Sequence, residues 1–476
     1  MARQAPELVI ALGHRRPGTT IARWLYGELR AAILDGRLRR GARLPATRDL
    51  AARYAISRGV VVAAYEQLRE EGYLASRVGA GTTVRLQVAE DLLAQAPRRR
   101  APARSQPAPP RARPFCPIEP ALAAFPIAIW ARLATQELAR TTPRSLARGA
   151  PGGSRRLREA IAAYLGASRG VACSPDHVVI VSGVQQALDL VARLVVRPGD
   201  PVWLEDPAYS GAVSVFRNAG ATLVPVRVDD DGLDPEDGRR RCARPVAVYL
   251  TPAHQFPLGS PLSLDRRVEL LRWAAATGAV LIEDDYDSEF RYSGQPLPAM
   301  KGLRGGESVV LLGSLNKALF PALRLGYLVA PDAWIDRVLA LRYETDLYPP
   351  ALSESVLAAF IEGGHFARHL RRMRELYGAR REALRREVER TLGGALRLPA
   401  IEAGLSTPAY LPRATPVRAV AEHGARAGLE LWRLDRYALH RRDLHGLILG
   451  FAAFSERQLR DATGVLARAI EATTRG

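Results

Sequence analysis

The chain has 476 residues, 47% of them hydrophobic and 25% charged. That excludes a mainly disordered protein and gives length for two or three domains with a large buried core. Three cysteines, Cys116, Cys173 and Cys242, are too few and too scattered for a disulfide framework or a metal site. No apolar run is long enough for a signal-peptide core or a bilayer span, so the expectation is a cytoplasmic protein with no membrane partner. The net charge of +19 favours an anionic partner such as nucleic acid.

The basic residues are uneven in kind and in place. Of 68, only Lys301 and Lys317 are lysines. Arginine stays protonated and cannot act as a nucleophilic amine, so a chain almost without lysine draws attention to those it keeps. Residues 1–114 carry 21 arginines against 9 acids, and the remaining 362 residues carry 47 basic against 40 acidic. Between these parts Ala96–Pro114 is rich in Pro, Arg and Ala without apolar periodicity, as expected of an extended linker. The expected division is therefore a first domain over 15–87, a Pro/Arg-rich linker over 88–114 and a second domain over 115–476.

In the first part Ile21, Leu25, Leu29 and Ile33 recur every four residues, which predicts a helix ended by Gly36. Leu44–Thr47 opens a short second helix through Leu50, Ala51 and Tyr54. Ser57 is a good N-cap for a third, with Val61, Ala64, Tyr65 and Leu68 on one face and Gly72 at its end. Tyr73–Ser76 and Thr82–Leu86 read as two strands around Gly79-Ala80-Gly81. Three helices and a two-stranded wing make a winged helix-turn-helix, mainly α, whose third helix would enter the major groove of double-stranded DNA.

The second part alternates compact apolar strands (Val178–Val181, Val202–Leu204, Val246–Leu250, Val280–Glu283, Val309–Leu312) with helical stretches such as Gln185–Val196 and Leu264–Thr277. This predicts an α/β domain with a mainly parallel buried sheet, and a long Arg-rich helix near His365–Leu392 belongs to a smaller C-terminal lobe. Ligands of such sheets bind at the carboxyl ends of the strands. Three of those ends carry chemistry. After Val181 a Gly183 turn opens a helix whose free N–H groups at Val184 and Gln185 suit a phosphate. After Ile282, five acids fall within Glu283–Glu289; the alternatives are a solvated acidic loop, a metal site, or a functional carboxylate. After Leu312 come Ser314, Lys317 and, seven residues on, Arg324, which place an amine beside an anion holder. Phosphate nest, acid and lysine together are the parts of a pyridoxal 5'-phosphate (PLP) site.

These segments resemble the MocR-type regulators, in which a GntR-type winged helix-turn-helix precedes a domain similar to fold-type-I PLP-dependent aminotransferases. The likeness runs through Gly41–Ala51, Ser57-Arg58, Glu71–Leu74, Gly183–Leu188, Glu205–Tyr209, Thr251–Pro257, Glu283–Phe290 and the Lys317 segment. It implies roles residue by residue. Lys317 would form the internal aldimine, Asp284 would face the pyridine nitrogen, Tyr286 the ring hydroxyl, and Tyr209 would stack on the ring. Ser314, Arg324 and the Val184-Gln185 turn would hold the phosphate, with His254 and Gln255 close by. Arg48, Ser57 and Arg58 would meet DNA, with Gly79 and Gly81 at the wing tip. The same resemblance implies a homodimer.

Two departures bear on function. Ser57-Arg58 is followed by Gly59-Val60-Val61, where the family has a threonine. The segment Leu449–Phe454 lacks the late arginine with which aminotransferases hold a substrate carboxylate, leaving Arg433 and Arg436 as substitutes. The expected function is a PLP-binding transcription regulator responding to PLP or to a PLP–amine adduct, in control of PLP synthesis or of amine or amino-acid metabolism. The alternative is a working aminotransferase with an accessory DNA-binding domain. A sensor role is favoured over catalysis because of the fusion and the missing arginine.

Overall fold

Leu25, Leu29, Ala32 and Ile33 come round to one buried face because their spacing matches the 3.6-residue turn of a helix. That helix, α1 (Ile21–Leu34), begins at Thr20, whose hydroxyl accepts the Arg23 N–H, and stops at Asp35 before Gly36. α2 (Thr47–Arg53) follows, and then α3 (Arg58–Glu70), capped by the Ser57 hydroxyl on Val60 N–H. The antiparallel strands β1 (Leu74–Arg77) and β2 (Gly81–Val84) pair Leu74 with Val84. Leu50, Val61, Leu68, Leu74 and Val84 join the α1 face in one small core. This is the expected winged helix-turn-helix, with its wing strands displaced by one or two residues.

The computed structural model of the protein describes residues 12–15, 18–77, 81–85, 112–143, 145–294 and 297–474. The chain divides into two units, Met1–Pro109 and Pro110–Gly476. Most of the expected linker, and Gly79 of the expected wing tip, lie outside the described residues.

The second unit opens with α4 (Ile127–Ala139) and α5 (Arg155–Arg169). Its centre is an eight-stranded sheet of β3 (Val178–Val181), β4 (Pro201–Asp206), β5 (Thr222–Asp229), β6 (Gly232–Leu233), β7 (Ala247–Leu250), β8 (Val280–Asp285), β9 (Val310–Ser314) and β10 (Gly326–Val329), in the order β3-β10-β9-β8-β7-β4-β5-β6. β9, β8, β7, β4 and β5 run parallel; β10 is antiparallel to both its neighbours, and the short edge strand β6 turns back on β5. α6 (Val184–Val195) and α7 (Ser210–Asn218) pack with Val179, Leu204, Ile282 and Leu312 in one core cluster. The other face buries Ile180, Leu311 and Val329 with α5 and α11 (Ala351–Glu362). Between them in sequence lie α8 (Pro235–Arg241), α9 (Leu264–Thr277) and α10 (Ile335–Asp346). The smaller C-terminal lobe sets the long α12 (His365–Leu392), α13 (Val417–Arg426) and α14 (Glu456–Thr474) beside a three-stranded antiparallel sheet, β11 (Ser406–Tyr410), β13 (Gly446–Gly450) and β12 (Trp432–Arg433). Among the described residues no helix is long and apolar enough to cross a membrane, and no group of His, Cys, Asp or Glu is placed to hold a metal.

The end of β8 is tied to the first helical layer by a buried ion pair. Arg169, the last residue of α5, donates Nε to Asp285 Oδ2 at 2.7 Å and Nη1 to the Leu297 carbonyl at 2.9 Å. The two side chains are 6% and 3% exposed. Burial opposes the guanidinium charge, but Asp285, Glu283 and Glu289 more than offset it and hold Arg169 protonated. Removing one member of such a pair leaves the other charged and unpartnered, at a cost of roughly 3–5 kcal/mol. Arg169→Met is therefore expected to lower the urea midpoint of the apo protein sharply, and adding Asp285→Asn should recover part of the loss. A midpoint unchanged by the single substitution would show that the pair does not hold this end of β8.

Candidate functional site

The carboxyl ends of β3, β7, β8 and β9 surround a cavity of about 210 Å³. Eight of the nine residues expected at the cofactor line it: Lys317, Asp284, Tyr286, Tyr209, Ser314, Arg324, Val184 and Gln185. On one side α6 begins at Gly183, at φ +129° and with no side-chain cap, so the first-turn N–H groups and the positive end of the helix dipole meet the cavity. Ser314, the last residue of β9, and Arg324 share that side, and no ion pair holds the Arg324 guanidinium among the described residues. A dianion such as a phosphate ester fits this end.

Asp284 lies on the cavity floor, 4% exposed. Its Oδ2 accepts from the Tyr249 hydroxyl at 2.7 Å, and its Oδ1 is buried with no partner. Burial, first, and then the negative charges of Asp285 and Asp287 push its pKa up to about 7, while the Tyr249 hydrogen bond pulls the other way. Such a carboxylate gains from a ring N–H arriving at its open oxygen. Lys317 follows β9, and its Nζ makes no hydrogen bond among the described residues. Burial lowers the Lys317 pKa, against Glu119, Asp287 and Cys116, which hold the charge on. A lowered amine pKa is what nucleophilic attack on a carbonyl requires. Tyr209 leans over Gln185, its hydroxyl 3.4 Å from Oε1.

His254 stands apart. It is absent from the cavity wall and lies behind Tyr286, with Nδ1 2.9 Å from Asp287 Oδ2 and 3.0 Å from the Tyr286 hydroxyl. Its ring fits beneath Gly404, where a Cβ would come within 2.1 Å of Cε1. Gln255 is also structural: its amide nitrogen donates to the Pro207 and Phe256 carbonyls and to Glu205. The sequence reading missed Tyr249, Asn316, Thr251, Phe256 and Ile118, all on the wall. A hydroxyl inside the otherwise aliphatic strand Ala247–Leu250 was a signal for Tyr249; nothing in the sequence pointed to Ile118.

In the first unit, Arg48 is exposed on α2, and Ser57 and Arg58 are exposed at the start of α3. The Gly59 that replaces the family threonine is exposed as well. Gly81, at φ +83°, lies under Arg43, which a Cβ at that position would meet 2.7 Å from Nε. Arg43 is thus a wing-side cation that the sequence reading passed over. The N-terminus of α3 and the wing present the arrangement by which a recognition helix and wing grip duplex DNA.

Residues 124–404 match the model described as "Aminotransferase class I and II", and residues 21–84 match "Bacterial regulatory proteins, gntR family". The chain is 38% identical to the probable rhizopine catabolism regulatory protein MocR of Rhizobium meliloti, over 94% of this chain and 93% of that protein. It is 32% identical to the pyridoxine biosynthesis transcriptional regulator PdxR of Corynebacterium glutamicum, over 99% of each. Among solved structures, the α-aminoadipate aminotransferase LysN of Thermus thermophilus, complexed with N-(5'-phosphopyridoxyl)-L-leucine, superposes with a TM-score of 0.71 at 26% identity, over 76% of this chain and 93% of that one. The second unit thus has the fold-type-I aminotransferase architecture, and in sequence it follows a DNA-binding gntR-type domain. The chain belongs to the MocR-type transcription regulators.

The raised pKa of Asp284 has a stability consequence in the ligand-free protein. The folded state holds this proton more tightly than the unfolded chain, so the contribution of Asp284 to stability falls as pH rises from about 4, the ordinary carboxylate value, through about 7. Asp284→Asn should remove that fall and gain on the parent between pH 5 and pH 8, as read by thermal unfolding without ligand. Parallel pH profiles for the two proteins would contradict the assignment.

Proposed function

We propose that the cavity binds PLP and that the protein couples this binding to its hold on DNA. The observation that carries the reading is the open, buried Oδ1 of Asp284 on the wall that Lys317 shares. The residues fit the group: a ring nitrogen for Asp284, a phosphate for the α6 N-terminus with Ser314 and Arg324, an aldehyde for the Lys317 amine, and a ring face for Tyr209. When bound, PLP supplies an electrophilic carbon for amines and an electron-withdrawing ring. The chain's own residues anchor, orient and charge-match it: Tyr249 fixes Asp284, and His254 with Asp287 fixes Tyr286.

The effector in this reading is PLP or an amine that meets it. Arg433 is engaged with Asp435 at 3.1 Å, and neither it nor Arg436 lines the cavity. Among the described residues the only lining arginine is Arg324, which the phosphate takes in this reading, so none is left as a bidentate clamp for an α-carboxylate, which supports sensing over turnover. The proposed working form is a homodimer in the cytoplasm, where the DNA is. Ile127 and Leu138, eleven residues apart on one face of α4, are 66% and 56% exposed, as a face awaiting a second copy would be.

Lys317→Ala should abolish the visible absorbance of the PLP-loaded protein, and borohydride should fix the label on the Lys317 peptide of the parent. Label on Lys301 would refute the placement. Asp284→Asn should weaken PLP by about tenfold or more, the worth of a charged hydrogen bond, and Asp287→Asn by less.

The DNA half is tested by fluorescence anisotropy on duplex from upstream of the protein's own gene against random duplex. Arg58→Ala and Arg48→Ala should lose affinity, and binding should weaken with salt as phosphate-bound counterions are released. Affinity indifferent to both DNA sequence and PLP would reduce the first unit to a charge anchor.

A further inference from the structure

Lys317 and Ala318 lie in the turn that leaves β9, closed by the Leu319 N–H on the Leu315 carbonyl at 2.9 Å. The turn does not continue as a helix, so a carbonyl in its middle needs a donor from elsewhere. The Ala318 carbonyl finds one on α12, 51 residues away in sequence, where His369 Nε2 stands 3.1 Å from it. Ala318 is buried, and His369 is only 5% exposed. A carbonyl oxygen can only accept, so Nε2 carries the hydrogen and Nδ1 is bare. That Nδ1 is buried with no partner. An apolar side chain at this position would leave no such orphan, so the histidine calls for a reason.

What the ring supplies is a donor without a charge. Burial lowers its pKa to about 4, against the pull of the Ala318 bond and with some help from Arg372. The ring is therefore neutral throughout the range in which an amine titrates. The groups that act on the Lys317 charge, Glu119, Asp287 and Cys116, all lie on other segments. His369 is not on the cavity wall either. Its place is fixed by Phe125, which meets the ring edge-on at 5.8 Å, and by its own helix. Further along α12, Arg372 donates to the Ala124 carbonyl, and Arg374 Nε donates to the Glu289 carbonyl at 2.6 Å. One helix thus braces both the Lys317 turn and the end of the acidic run that contains Asp284.

We infer that His369 is a positioning residue: it fixes the Lys317 turn through the Ala318 carbonyl and so holds the amine in the ligand cavity. The consequence for PLP deepens the reading above and rests on it; the placement of the amine does not.

The chain's two lysines make the test direct. Ligand-free, full-length protein is trace-labelled with acetic anhydride across a pH series, and the Lys317 and Lys301 peptides are compared. His369→Gln keeps an uncharged N–H donor at the reach of Nε2. His369→Asn keeps the amide but stops at the reach of Nδ1, and His369→Leu removes the donor. With the turn released Lys317 regains water, so its labelling midpoint should rise by roughly one pH unit in the Asn and Leu variants, a tenfold change in acidity. Lys301, held on the Val309 and Glu307 carbonyls outside the cavity, should keep its midpoint. The Gln variant should match the parent. PLP affinity, read from the visible absorbance, should fall about tenfold in the Asn and Leu variants and return with Gln, the scale of one hydrogen bond. Either of the Asn and Leu variants suffices where the other does not fold. An unchanged Lys317 midpoint, equal shifts at both lysines, a Gln variant that behaves like Leu, or failure of both Asn and Leu variants to fold would overturn the inference and leave the bond a matter of general stability. A parent that takes up no PLP would remove the PLP reading, with the labelling result still deciding the role of His369.

Discussion

Five carboxylates crowd into Glu283–Glu289 at the buried carboxyl end of β8, and accommodating them is the constraint that the surrounding structure has to meet. Ionised groups taken out of water need partners, and each acid here has one. Glu283 accepts the N–H groups of Met300 and Lys301, and Asp285 takes Arg169. Asp287 meets His254, Glu289 takes the Tyr164 hydroxyl, and Asp284 the Tyr249 hydroxyl. Several second oxygens stay open, those of Asp285, Asp287 and Glu289 as well as Asp284. Asp285 has a cation beside it, however, and Asp287 an imidazole. Asp284 has only a neutral hydroxyl, while Glu289 has the Tyr164 hydroxyl and feels the Arg169 charge, and burial raises both to about 7. Of these two, Asp284 alone faces the cavity. The site's electrostatic demand is thus concentrated at one oxygen.

Strand geometry explains the sorting. Successive residues of a strand point to opposite faces, so Glu283 and Asp285 share a side and Asp284 takes the other. The first side is met by α5, which brings Arg169. The second is met by Tyr249 across the β7–β8 pairing and opens into the cavity. An acidic run that looks redundant in sequence divides into structural carboxylates, paired for stability, and one left for a ligand.

Much of this was legible before the structure. Helical patterning gave α1, α3 and α9, the long Arg-rich stretch gave α12, and the short aliphatic runs gave β3, β7, β8 and β9 to within a residue or two. β5 escaped because Pro225 and Arg227 break an apolar run that is half-exposed at its start, and β10 because Gly326 and Tyr327 leave only Leu328 and Val329 as an aliphatic run. The antiparallel insertion of β10 between β3 and β9 is a long-range pairing that no local pattern specifies. At the site, residues that follow a strand end were found, since the β–α turn fixes where they go. Ile118 reaches the cavity from a segment far away in sequence, and His254 turns out to support the wall rather than form it.

The two lysines show how composition and geometry have to be combined. Scarcity alone marks both, and burial lowers the pKa of both, that of Lys301 to about 8. By acidity Lys301 would serve as a nucleophile as well as Lys317. But β9 separates them. Lys301 lies at its start, where Nζ donates to the Val309 carbonyl at 2.7 Å and to the Glu307 carbonyl at 3.4 Å, outside the cavity. Its amine hydrogens are committed to backbone groups that would otherwise be short of donors. Lys317 comes just after the strand's carboxyl end, on the cavity wall, with no such bond among the described residues. Both pKa values are shifted by the same cause, desolvation, so the shift cannot assign the role. The end of the strand on which each amine sits does, because in this fold the carboxyl ends of the parallel strands are where the ligand space opens.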